Sequence, residues 1–247
     1  MIHRPAGRER PDFRAGGARG RWLGESVPKS GRPTTYDPYG LTVRRLPPLI
    51  GSVRLGNRSP AHVQSAYGAL LRRGLSARSV HHAHAVLHRA LKQAALWNLI
   101  PRNPTDAASR PRPERTEMKT LSEDEVRRLF EASEDNRYHA LWVVLATTGV
   151  RLGEALGLRW PDVDLGMGRL TVNRALQRQR GKGLVFVEPK TRRSRRTIHL
   201  AQGAISALQR HRKGVQSREH LRAGQAWQEN DLVFATEIGR PLDELQA

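Results

Sequence analysis

The stretch Thr147-Thr148-Gly149-Val150-Arg151-Leu152-Gly153-Glu154-Ala155-Leu156-Gly157-Leu158-Arg159-Trp160-Pro161-Asp162-Val163-Asp164 sets an arginine at a glycine-marked turn between two apolar segments. Upstream, Tyr138 to Thr148 is almost wholly apolar (Leu141, Trp142, Val143, Val144, Leu145, Ala146), which predicts a buried helix closed by Gly149. A short helix follows from about Arg151 to Leu158, then a turn at Trp160-Pro161-Asp162. Arg151 would be aimed outward by the glycine turn. Glu154, one helical turn later on the same face, is placed to orient the guanidinium or to brace the helix start. The plain alternative is an i, i+3 surface ion pair of little consequence.

Downstream of Gly168 the apolar period changes from helical to alternating. Leu170 and Val172, then Leu184 to Val187, then Thr197 to Leu200 read as three short antiparallel strands. Glu188-Pro189-Lys190-Thr191-Arg192-Arg193-Ser194-Arg195-Arg196 occupies the turn between the second and third. Gln202 to Arg212 reads as a helix with Ile205, Leu208 and Ala204 inward, Leu232-Val233-Phe234 as a short apolar segment, and Gly239 to Asp243 as a turn.

Upstream of the arginine turn, Ser122-Glu123-Asp124-Glu125 is a capping box opening a helix whose Val126, Leu129 and Phe130 face a core. Residues 107–120 are Pro, Arg and Glu without apolar period and read as a linker. Ser59-Pro60 caps a helix to about Arg73, with Val63, Tyr67, Leu70 and Leu71 at helical spacing and Gly74 as its stop. Ser76 caps a longer one, with Val80, Ala83, Leu87, Leu91, Ala94 and Ala95 on one face and Trp97 to Pro101 at its end. Its other face carries Arg78, His81, His82, His88, Arg89 and Lys92. His81, His84 and His88 share a spacing that could hold a metal, but no carboxylate joins them at ligand spacing, so they read as a polar or solvated face. Residues 1–20, rich in Arg, Gly and Pro, read as a basic arm unable to fold alone. Five prolines between Trp22 and Ile50 cut any helix there into short pieces.

The chain has 247 residues, with 43 Lys and Arg against 23 Asp and Glu, a net charge of +20. Its isoelectric point is about 11.5, as expected of a protein that neutralises phosphates, although a merely basic scaffold protein has the same signature. The length suits two domains. With no cysteine, disulfide frameworks and thiolate metal sites are excluded, which suits a reducing, cytoplasmic setting. No apolar run approaches the roughly 18 residues that would span a bilayer, and the arginine-rich start lacks the apolar core of a secretory signal.

The segment from Thr147 to Asp164 resembles the first active-site arginine motif of the tyrosine recombinases, the phage-integrase family, which cut and rejoin DNA through a phosphotyrosine link. Arg151 falls on that family's first catalytic arginine, and Glu154 on an acidic residue that supports it. Lys190 matches the family's hairpin lysine, which protonates the departing 5′ oxygen. Phosphodiester cleavage suits these residue types, because charge develops on the non-bridging, attacking and leaving oxygens and arginine is a permanently charged, bidentate clamp. The two helices before Asn103-Pro104 look like the family's helical, SAM-like core-binding domain. The resemblance implies a mainly α fold with a small three-stranded antiparallel sheet. It divides the chain into an arm (1–20), a core-binding domain (21–106), a linker (107–120) and a partial catalytic domain (121–247). Arg78, His81, His82, Arg89, Lys92, Arg192, Arg193, Arg195 and Arg196 are the expected DNA contacts, chiefly to phosphates, and no metal or other cofactor is expected.

Three further family elements have no counterpart between His199 and Ala247: a His-x-x-Arg box, a second His or Trp, and a C-terminal tyrosine. The four tyrosines, Tyr36, Tyr39, Tyr67 and Tyr138, all precede Arg151. The expectation is therefore a C-terminally truncated recombinase that binds double-stranded DNA without completing strand transfer. Its expected solution state is a monomer, with no membrane partner and an intact recombinase protomer as a further partner. A non-catalytic DNA-binding regulator, competing with an intact recombinase, is the alternative.

Overall fold

A computed structural model describes residues 45–114, 117–179, 181–188 and 195–243. The expected arm over 1–20, the proline-rich stretch to residue 44, Lys190, Arg192 and Arg193 lie outside the described residues. The chain divides between Glu117 and Met118 into two compact units.

The first unit is helical. Helix α1 (Pro60–Arg72) begins where the Ser59 hydroxyl accepts from the His62 amide and Pro60 presets the first turn; Gly74, at φ +83°, ends it. Helix α2 (Ala77–Leu96) is capped by Ser76, which accepts from the Ser79 amide at 3.2 Å. Tyr67, Leu70 and Val63 on α1 bury against Val80, Ala83, Leu87 and Leu91 on α2, and Leu46, Ile50, Leu55 and Ile100 close the core. Each large side chain so buried contributes roughly 1.5–3 kcal/mol relative to leaving it exposed. Part of the expected linker belongs to this unit. Ala108 packs on its core, the Ser109 amide donates to Gln64 Oε1 at 2.9 Å, and the carbonyl of Pro111 lies 3.3 Å from His81 Nδ1.

The second unit opens with α3 (Glu123–Ala132), where the Ser122 hydroxyl accepts from the Glu125 amide and the Glu125 carboxylate accepts from the Ser122 amide at 2.7 Å. Its apolar face is thinner than the sequence suggests: Phe130 packs on the core, whereas Leu129 is exposed. Helix α4 (His139–Thr148) is buried through Ala140, Leu141, Val143 and Val144 and stops at Gly149, φ +63°. After α5 (Leu152–Leu156), Trp160–Asp162 make a 3₁₀ turn, and strands β1 (Val163–Asp164), β2 (Arg169–Val172), β3 (Ala175–Gln179), β4 (Gly183–Val187) and β5 (Arg196–His199) follow.

A three-stranded antiparallel sheet is present, but its membership differs from the sequence expectation. It is β1-β2-β5, while the strand expected at Leu184 to Val187 is β4 and pairs only with β3 in a separate two-stranded ribbon. Strand β3 reads Ala-Leu-Gln-Arg-Gln, too polar to announce itself, yet Leu176 is fully buried opposite Phe186. The final helical run is also longer than expected. Helix α6 (Gln202–Arg210) continues through a π-helical segment, His211–Gln216, into α7 (Ser217–Ala223). Leu232, Val233 and Phe234 are buried beside it, and the Val233 amide donates to the Leu158 carbonyl at 3.0 Å, tying this segment to the end of the arginine turn.

Candidate functional site

The arginine turn is built by three local devices. Thr147 and Thr148 donate their hydroxyls back to the Val143 and Val144 carbonyls at 2.7 and 2.6 Å, the i to i−4 bond that fixes a threonine side chain against its own helix. Gly149 then reverses the chain in the left-handed region that favours glycine, and Val150 plugs into the core. Arg151 follows in extended conformation at the start of α5, where the family of N-cap residues is normally Ser, Thr, Asp or Asn. Its side chain cannot cap, and it projects outward with 78% of its surface exposed.

Glu154 is the opposite case: only 7% of it is exposed. Its Oε2 accepts from the Arg151 amide at 3.0 Å and from Arg196 Nη2 at 2.8 Å. Its Oε1 accepts from Arg151 Nη1 at 3.0 Å and, more distantly, from Arg196 Nη1 at 3.4 Å. Burial pushes its carboxyl pKa up, but the hydrogen bonds from Arg196 and from the Arg151 amide and guanidinium outweigh it, and the net effect is a lowered pKa. A buried carboxylate is tolerable only when so satisfied. The cluster carries two guanidinium charges against one carboxylate, and the exposed partner is Arg151.

Arg196 reaches Glu154 from the neighbouring sheet. It lies opposite Val172 in the β2–β5 ladder, and it shares the half-buried face of β5 with Ile198, which packs on the core. The sequence places Arg196 among phosphate contacts; the structure places it against Glu154, with 31% of its side chain exposed. Arg195, exposed on the other face, pairs with Glu188 at 3.0 Å. A second polar node sits below the turn. Asp162 accepts from the Arg159 amide at 3.0 Å, from Asn173 at 2.9 Å and from Arg174, while the Arg159 guanidinium lies over the Phe186 ring at 5.3 Å. Neither node contains a tyrosine.

In the helical unit, the expected contacts on α2 split into two groups. Arg78, His82, Arg89 and Lys92 recur at helical spacing along one exposed stripe, with the small Ala85 between them. His81 and His88 sit to one side and are half-buried, His81 against Pro111 and His88 with Nε2 3.0 Å from Asp106 Oδ1. His84, expected on a polar or solvated face, is in the core: the Tyr67 hydroxyl is 2.8 Å from its Nδ1, and its ring stacks on His88 at 6.0 Å between centroids. Burial lowers the His84 pKa, aided by the nearby His88, Arg110 and His81 and opposed by Asp106. The buried pair escapes sequence reading because it needs Tyr67, seventeen residues away on another helix.

Residues 119–247 match the model of the phage integrase family. The chain is 25% identical to an integrase of Saccharopolyspora erythraea, over 91% of this chain and 64% of that protein. It is 28% identical to a XerC-like tyrosine recombinase of Caldanaerobacter subterraneus, over 90% of this chain and 61% of the relative. It thus spans about three fifths of the length of these curated relatives. In fold it is similar to the Tn1549 transposon integrase solved in complex with a circular intermediate DNA, with a TM-score of 0.75 at 19% identity over 92% of this chain and 74% of that one. Among the described residues, no helix is long and apolar enough to cross a membrane.

Proposed function

The chain belongs to the phage integrase family, and from that premise we propose that it binds duplex DNA and presents Arg151 to a backbone phosphate of the strand-exchange site. The observation that carries this reading is the asymmetry of the Arg151–Glu154 pair: the carboxylate is buried and satisfied, while the guanidinium it anchors is held in solvent. A permanently charged, fork-shaped donor held by its own helix and open on its outer side suits a phosphate oxygen. Lys190 is assigned as the acid for the departing 5′ oxygen, on its place in the sequence behind the arginine turn. The exposed α2 stripe of Arg78, His82, Arg89 and Lys92 supplies phosphate contacts that fix position and affinity and carry no base readout. The arm, helical core-binding and partial catalytic divisions of the chain remain part of the same reading.

The family's reaction runs through a 3′-phosphotyrosine. No tyrosine follows Tyr138 in these 247 residues, and the described cluster consists of Arg151, Arg196 and Glu154. Because groups of an active site act as a unit, a polypeptide of this sequence is expected to hold DNA without forming the covalent link. A nicked suicide duplex incubated with the purified chain and run on a denaturing gel tests this: only unshifted DNA is expected, and a covalent protein–DNA band would overturn it.

A further inference from the structure

We infer that Arg196 is a positioning residue for Arg151: by neutralising the buried Glu154 carboxylate, it lets Arg151 offer DNA a charge that its own helix would otherwise cancel. This rests on the phosphate-binding reading above. An isolated Arg151–Glu154 pair has no net charge, and the short-range field it would present to a phosphate is that of a dipole. The second guanidinium changes the balance to +1. The two arginines divide the work by burial. Arg196 reaches both carboxylate oxygens from β5, at 2.8 and 3.4 Å, and is largely withdrawn from solvent, whereas Arg151 commits one guanidinium nitrogen, Nη1, and stays mostly exposed. The placement of Arg196 is fixed by the sheet, since its ladder partner Val172 is fully buried and Ile198, on the same face of β5, packs on the core. Glu154 in turn holds the Arg151 backbone through the amide bond at 3.0 Å. The chain of support therefore runs from the sheet through Arg196 and Glu154 to Arg151.

Arg196 could instead touch a phosphate itself or serve folding alone, and each of these roles gives a different pattern of binding and stability. The test is the salt dependence of duplex binding by the full chain, followed by fluorescence anisotropy on one fluorescent duplex, with thermal melting of every variant beside it. Each phosphate neutralised contributes about 0.9 to the slope of log K against log salt. Arg151→Ala should flatten the slope by about that amount. Arg196→Gln, which keeps a donor for Glu154 but no charge, should flatten it by about the same and weaken binding about tenfold at low salt. The double variant Arg196→Gln/Glu154→Gln removes both charges and should recover the parent slope. A lower melting temperature with an unchanged slope for Arg196→Gln means a folding role only and overturns the inference. So does a double variant with Glu154→Gln that stays as flat as Arg196→Gln, which would put Arg196 on the phosphate. Should Arg196→Gln not fold, Glu154→Gln alone carries the test: it leaves two uncompensated cations, so the slope should steepen, and a slope no steeper than the parent's overturns the inference. If Arg151→Ala leaves the slope of the parent unchanged, the phosphate-binding reading itself has failed, and the inference with it.

Discussion

Replacing Glu154 by alanine removes the acceptor at the centre of the arginine turn, and the cost follows from the exposure of each donor it serves. The Arg151 amide loses a hydrogen bond to a charged group, about 1.5 kcal/mol. Arg196, with 31% of its side chain exposed, loses its carboxylate partner but recovers some hydration, which leaves a further loss of about 1.5 kcal/mol. The Arg151 guanidinium is already mostly hydrated, and its pair adds less than about 0.5 kcal/mol. The expected destabilisation is about 3 kcal/mol, a fall in melting temperature of about 10 °C for a unit of this size. Urea unfolding followed by tryptophan emission measures it, since Trp142, Trp160 and Trp227 all lie in the second unit. The pH dependence gives an independent check. Glu154 is more acidic folded than unfolded, so its contribution is complete above the ordinary value of about 4.5 and is lost as pH falls through the lowered folded value. The gap between parent and variant should hold from pH 7 to about pH 5 and narrow progressively as the pH falls further. A gap under about 1 kcal/mol at pH 7, or one that widens on acidification below pH 5, rules this assignment of Glu154 out.

Three further outcomes test the architecture. Tyr67→Phe deletes a buried hydrogen bond to His84 and should cost the helical unit about 1–2 kcal/mol in denaturant. Because His84 is less basic folded than unfolded, the stability tied to its neutral form is complete above about pH 6.5 and is lost as pH falls below that; His84→Leu should flatten this part of the profile when stability is measured between pH 5 and 8. Gly157→Ala would put a Cβ 3.1 Å from the Ala175 Cα and the Leu176 amide nitrogen, so the β3–β4 ribbon would have to shift; a loss of about 2–3 kcal/mol is expected in the same urea assay, against less than about 0.5 kcal/mol for Gly203→Ala, where nothing lies near.

Much of this fold is written locally. The caps at Ser59, Ser76 and Ser122, the apolar run of α4 and its glycine stop, and the outward arginine after it each rest on a few adjacent residues, and the structure carries each of them. The features that sequence reading misses depend on partners far along the chain. Strand β3 is polar on one face, and only its pairing with β4 and the burial of Leu176 make it a strand. His84 looks like its neighbours His81 and His82 until Tyr67 is brought against it. Arg196 is hidden in a run of arginines, although one local signal was available: it alternates in step with Ile198, the inward residue of β5. The helix after Gln202 runs past its expected end because the π-helical segment absorbs Gly214 and two basic residues without a break.

Whether Arg151 meets a DNA phosphate is decided by a salt titration of duplex binding, from about 50 to 300 mM, for the parent chain and Arg151→Ala. The expected result is a steep linear fall of log K with log salt for the parent, a slope smaller by about 0.9 for the variant, and a melting temperature that the variant barely changes. Failure of the parent to bind duplex at low salt, or superimposable titrations for the two proteins, would contradict it.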